Sequence, residues 1–359
     1  MASLTKTAEV SRKAIKYGSV AFVAITVLWF LGGAAINYYK ALNPPAPMPP
    51  AEEFGMLAPI IFPKESARPQ LALELPTGVI PKFADRASVY SAPTKRSGFL
   101  DADRAIETAR ALNFVFKPTI PSPTRYIWSN QDQLASKLDM DITSGHFLLT
   151  RIWQNSPALL TLSNFVSDQQ VTNDTLNYLR KTGLMPEDIN NQQKIIYLKG
   201  EGGKLVPTIS LSEADFVQID FFRNNLDVLD PTTKIVTESY PFYRPSPDYG
   251  LIRAILSASR DINQQIVSLD YQYTRVDYPS MGVYPIKTGD QAWTELSSGG
   301  GYVTSKGPKT GTVKIRRVIL GYYDSDQPQM YEMPIYVFLG DQGFTAYVSA
   351  IVDSAMKSK

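Results

Sequence analysis

The chain has a single histidine, His146, and no cysteine, so acid–base or metal chemistry would have to be built almost wholly from carboxylates. A Ser–His–Asp arrangement would rest on that one imidazole, which sits at an expected strand turn and has no GxSxG elbow to serve it. His146 is therefore read as a turn residue. Asp139 and Asp141 lie two apart, on one face of an expected strand, where they could hold a hard cation or act as an acid–base pair. Their alternation with Leu138, Met140 and Ile142 assigns them instead to the solvated face of a half-buried strand. Glu201, Asp215, Asp220 and Glu238 are scattered, and a glycosidase pair has no local spacing rule by which to find it. The run Gly299-Gly300-Gly301 to Lys306-Gly307 has the wrong order for a phosphate loop and follows a helix rather than a strand. No catalytic, cofactor-binding or metal-ligating residue is assigned. The aromatics of the last third offer a binding reading. Tyr322 and Tyr323 are adjacent, point to opposite faces of a strand, and so predict one exposed ring. With Trp293 and Tyr302 they are the candidate partner contacts, an aromatic anchor for a peptide or glycan.

The elements that would position these residues read as helices followed by strands. Ala105, Ile106, Ala109 and Leu112 recur at helical spacing after Asp101, which is the expected N-cap. Strands follow at Arg125–Ser129, Lys137–Thr143 and Phe147–Trp153. A second helix is expected from about Asp168 to Thr182, stopped by Gly183, with strands at Lys194–Lys199, Leu205–Ser210 and Phe216–Phe222. A third, capped by Thr288 or Asp290, ends at Gly299 and leads to strands Thr312–Tyr323, Tyr331–Leu339 and Phe344–Val352. The expected fold class is α+β: an N-terminal transmembrane helix, then repeated modules of one helix plus a three-stranded antiparallel meander.

Tyr17–Tyr39 contains no ionisable acid or base and, at ~1.5 Å per residue, is long enough to cross a bilayer. Lys6, Arg12, Lys13 and Lys16 precede it against the single acid Glu9, which places the N-terminus in the cytoplasm and the bulk of the chain on the far side of the plasma membrane. A retained anchor is expected over a cleaved signal peptide, because the apolar run exceeds the usual h-region. Seven prolines between Asn43 and Pro63 make a stalk. The expected organisation is thus a tail (1–16), a membrane helix (17–39), a stalk (40–70), a first extracytoplasmic region (71–239) and, after the Pro-rich Tyr240–Pro247, a second (240–359). The net charge is +2, and residues 1–40 alone hold five Lys or Arg against one Glu, so the remainder carries about −2. That near-neutrality excludes a nucleic-acid partner. An extracytoplasmic part without disulfides points to a bacterium.

Two of the units resemble PepSY-type modules, through Ala105-Ile106-Glu107-Thr108-Ala109 in the helix and Met140-Asp141-Ile142-Thr143-Ser144-Gly145-His146 at the late turn, with one residue inserted. Ile286–Tyr302, Val318–Tyr323 and Pro334–Phe338 resemble the helix and strands of YycH/YycI-like regulators. The resemblance implies a membrane-anchored, extracytoplasmic accessory that inhibits or senses for a membrane protease or sensor kinase. The expected function is accordingly non-enzymatic, without cofactor: binding and regulating an envelope or membrane partner, with homo-oligomers possible. A structural subunit of an envelope complex is the second reading and an extracytoplasmic hydrolase the third.

Overall fold

Alternation of apolar and polar side chains drives much of this chain into strands, and pairing across long sequence gaps joins most of them into two large sheets. The computed structural model describes Tyr17 and residues 53–65, 67–92, 98, 100–131, 134–162, 165–230 and 232–357, without the side chains of 190–192. The expected tail, the membrane segment apart from Tyr17, and the stalk as far as residue 52 lie outside the described residues. No helix among the described residues is long and apolar enough to cross a membrane.

The strands in chain order are β1 (Gln70–Leu73), β2 (Arg86–Ser91), β3 (Thr119–Ser122), β4 (Arg125–Asn130), β5 (Ser136–Asp141), β6 (Phe147–Arg151), β7 (Ile189–Glu201), β8 (Lys204–Thr208), β9 (Phe216–Arg223) and β10 (Leu226–Leu229). There follow β11 (Val236–Tyr240), β12 (Phe242–Tyr243), β13 (Ile252–Ser257), β14 (Ile266–Tyr271), β15 (Asp277–Pro285), β16 (Tyr302–Val303), β17 (Thr312–Tyr323), β18 (Tyr331–Gly340) and β19 (Thr345–Ser349). Among the described residues three helices exceed two turns: α1 (Asp101–Ala111), α2 (Asp168–Lys181) and α3 (Gly289–Ser297). One sheet has nine antiparallel strands in the order β3-β4-β5-β6-β14-β13-β9-β7-β8. The other, of eight, runs β1-β17-β18-β19-β16, with β12 beside β17 and β2 linking β15 to β18. Strands β1 and β12 lie parallel to β17.

Both α1 and α2 pack against the nine-stranded sheet. Ala105 and Ala109 of α1 and Val171, Tyr178 and Leu179 of α2 share one core with Leu138, Leu149, Ile219 and Leu269. Helix α3 begins with a reciprocal cap between Thr288 and Gln291 and buries Ala292 and Leu296 in the core of the eight-stranded sheet. Helix α1 starts one residue earlier than its expected cap: Leu100 is the N-cap, and Asp101, buried, accepts from the Gly98 N–H at 2.7 Å.

The expected helix-plus-meander modules are not what these elements build. The molecule is predominantly β, in large antiparallel sheets. Four strands follow α1, and the three after α2 lie in the order β8-β7-β9. Strands β13 and β14 then insert between β6 and β9, so no unit holds its own sheet. The reason is physical. Alternation specifies that a segment is a strand and which face it buries, whereas its neighbours are chosen by non-local pairing. The Tyr240–Pro247 passage is followed by two strands of the nine-stranded sheet, while β1 and β2, far upstream of it, pair with the C-terminal strands.

Candidate functional site

Strand β6 buries Phe147, Leu149 and Arg151 on its inner face and leaves Leu148 and Thr150 exposed. A guanidinium thus takes a core position, with Arg151 only 5% exposed. Among the described residues it has no ion pair. It donates to the Ile266 carbonyl at the start of β14 and hydrogen-bonds the Tyr178 hydroxyl of α2. Burial pushes the Tyr178 hydroxyl pKa up, so it stays neutral beside the cation.

Arg151 lies at the base of a cleft of about 270 Å³ that continues into a second part of about 220 Å³. Leu112, Asn113, Arg151 and Asn263 line both. Asn130 and Ser136 complete the first part, and Arg110, Tyr178 and Thr182 the second. The walls come from two helices that end alike. Asn113 after α1 and Gly183 after α2 both turn at φ 70°. The next amides reach back, Phe114 N–H to the Ala109 carbonyl and Leu184 N–H to the Leu179 carbonyl, each at 2.8 Å. Asn113 is pinned further: its Nδ2 donates to Asn263 Oδ1 at 3.3 Å, and its carbonyl accepts from Asn130 Nδ2 at 3.3 Å. Among the described residues the lining offers guanidinium, amide and hydroxyl groups and no Asp, Glu, His or Lys side chain. Such a site can hold a ligand by hydrogen bonds and charge, but has no group to take a proton near neutral pH.

A second polar cluster joins the two sheets around Arg223, whose side chain is fully buried. Its guanidinium pairs with Asp188 and, at 3.1 Å, with Asp324, and donates to the Thr274 carbonyl at 2.8 Å. The Phe242 and Tyr273 rings lie 5.3 and 5.1 Å from its central carbon. Burial opposes this charge, and Asp324 and then Asp188 more than offset the opposition. Glu332 is buried with Oε2 unpartnered among the described residues. Burial, and then the Asp324 charge, push its pKa up to about 8. His146 joins the rim, its Nε2 3.0 Å from Thr274 Oγ1; burial first, then Arg244, hold its pKa below the usual value.

The residues singled out from the sequence lie elsewhere. Tyr322 and Tyr323 are both buried, at 2% and 0% exposure, so the expected exposed ring is absent. The cause is that β17 is covered on both faces: Tyr322 packs on Tyr90 and Phe242, and Tyr323 on Phe62 and Tyr347. Tyr302, buried, donates to the Pro245 carbonyl, and Trp293 packs on Phe338. The four rings form no common surface anchor. Asp139 accepts two hydrogen bonds from Arg125, at 2.7 and 2.6 Å, which with Lys137 bring its pKa down to about 2. Asp141 accepts from the Thr143 and Ser144 amides, both at 2.9 Å, and shapes the turn. Asp220 accepts from Arg253 and the Gly250 N–H, Asp215 from the Gly200 N–H, and Glu238 from the Tyr240 hydroxyl. Glu201 faces Lys199 at 3.7 Å. Among the described residues no three His, Cys, Asp or Glu could hold a metal. Arg151 was missed by the sequence reading, yet its signal lay in the expected strand: Phe147, Leu149 and Arg151 fall two apart, in the inward register.

No family model matches the chain, and no curated protein matches it. Among solved structures, an uncharacterised protein from Eubacterium rectale is similar at 9% identity and a TM-score of 0.32, covering 77% of this chain and 85% of its own. A likeness at that score carries no argument.

Proposed function

We propose that this is a non-enzymatic, membrane-anchored extracytoplasmic binding protein that regulates an envelope or membrane partner, with the Arg151 cleft as its receptor site. The observation that carries the reading is Arg151 itself: among the described residues, a buried cation without an ion pair, at the base of a cleft whose lining has no base or acid. Binding groups without a proton acceptor favour recognition over hydrolysis. The apolar run Tyr17–Tyr39, with Lys6, Arg12, Lys13 and Lys16 ahead of it, supports the anchor and its orientation. The test is to solubilise membranes gently, recover the full-length chain and weigh its complex by native mass measurement. A one-to-one or two-to-two assembly with a membrane partner is expected. A high-order ring or filament of this chain alone would overturn the regulatory reading in favour of a scaffold.

A further inference from the structure

We propose that the Arg151 cleft takes a carboxylate with a donor nitrogen on the adjacent carbon, the pattern shared by free α-amino acids and peptide C-termini. This rests on the binding reading above and names the ligand class of that site. The carboxylate follows from charge and geometry. A guanidinium in a core position is costly unless it is paired, and among the described residues no counter-charge, one unit in size, meets it. The Ile266 carbonyl and the Tyr178 hydroxyl fix two sides of the Arg151 guanidinium, so its remaining N–H groups are preset for a planar, two-point acceptor. A phosphate dianion would call for a second buried cation, and the one other cation among the described lining residues, Arg110, is exposed and borders only the second part. The donor nitrogen follows from the helix ends. The last turns of α1 and α2 both border the second part, and each helix C-terminus presents roughly half a negative charge. Among the described residues no donor reaches the Ala111 or Leu112 carbonyls. A purely anionic ligand would leave that side unmatched, whereas an ammonium or amide N–H complements it. Leu112, Leu134 and Ile262 leave apolar wall for a side chain. Each part is smaller than the ~300 Å³ at which drug-sized pockets begin, so the occupant is small.

The test is calorimetric titration of the full-length protein in detergent with each of the twenty L-amino acids, dialanine, alaninamide, acetate and inorganic phosphate. At least one amino acid or dialanine should bind, with the amide lacking the carboxylate weaker by about tenfold or more. Arg151→Lys should weaken the same ligand by about tenfold, since a point charge replaces a two-point fork. Asn263→Ala, on the turn at the cleft's edge, should weaken it severalfold and decides the matter if Arg151→Lys does not fold. A preference for dialanine over alanine marks a peptide end as the source, and the reverse a free amino acid. Acetate, phosphate or alaninamide binding as tightly as the best amino acid would overturn the proposal, as would silence from every amino acid and dialanine up to about 10 mM. If no probe binds but partner capture still depends on Arg151, the ligand class fails and the binding reading stands. If both vanish, the two fall together.

Discussion

Two buried arginines, Arg151 and Arg223, sit in opposite surroundings, and substituting each separates function from stability. Arg223 neutralises Asp188 and Asp324, so Arg223→Met strands two buried carboxylates and should cost about 3–5 kcal/mol in denaturant unfolding. Arg151 leaves no carboxylate behind among the described residues, so Arg151→Met should cost no more than about 1 kcal/mol, the loss of its bonds to Ile266 and Tyr178 being offset by removal of a charge without an ion pair there. A comparable loss in both variants would remove the ground for treating Arg151 as functional. Glu332 makes a pH prediction. Its pKa is about 8 in the folded chain, against the ordinary carboxylate value when unfolded, so the native state binds the extra proton between them. The contribution of Glu332 to stability should therefore be fully present below the ordinary carboxylate pKa, fall as pH rises towards 8, and level off above it. Glu332→Gln should flatten that slope, which thermal melts across pH 5–9 would read. Much at this scale was legible. Asp139 and Asp141 were placed correctly on a solvated strand face, because alternation fixes the face. Tyr322 and Tyr323 were not, because covering of the second face comes from segments far away in the chain, Tyr90 and Phe62 among them.

Elements were more legible than their arrangement. The glycine run after α3 was read as a helix stop, and the fold gives it a second task. Gly301 turns at φ 67°, and a Cβ there would lie 2.3 Å from the Tyr347 carbonyl oxygen of β19. Gly299, also at positive φ, has nothing within 4 Å of such a Cβ. Gly301→Ala should thus destabilise by about 1–3 kcal/mol or more and Gly299→Ala by about 1 kcal/mol, measured by urea unfolding. Equal effects would mean that the close approach to β19 contributes nothing. Strands β5 and β17 fall nearly where alternation places them, and of the two expected caps of α3, Thr288 and Asp290, it is Thr288 that caps it. Within β4-β5-β6 and β17-β18-β19 the partners are sequence neighbours, but the strands that flank those runs were not readable. β13 and β14 carry the same local pattern whether they form a hairpin alone or fill the centre of a nine-stranded sheet, and only the burial of both flanks decides.

At the scale of the whole molecule, the strands before β3 and after β14, joined by β12, share one sheet, and β3–β9 with β13 and β14 make the other, while β10 and β11 pair apart from both. The two are tied where Arg223 and Asp188 of one meet Asp324, Glu332 and Tyr278 of the other. Sequence composition could not anticipate this arrangement, since ion pairs between residues 101 apart leave no local trace. The central claim is that the Arg151 cleft controls an interaction with a membrane partner. The most direct measurement is the native mass of full-length wild type and Arg151→Met, both recovered from gently solubilised membranes. The account predicts a defined assembly with a membrane partner in wild type, and partner occupancy changed by about fivefold or more in the folded variant. Identical occupancy in the two, or a large assembly of this chain alone, would contradict it.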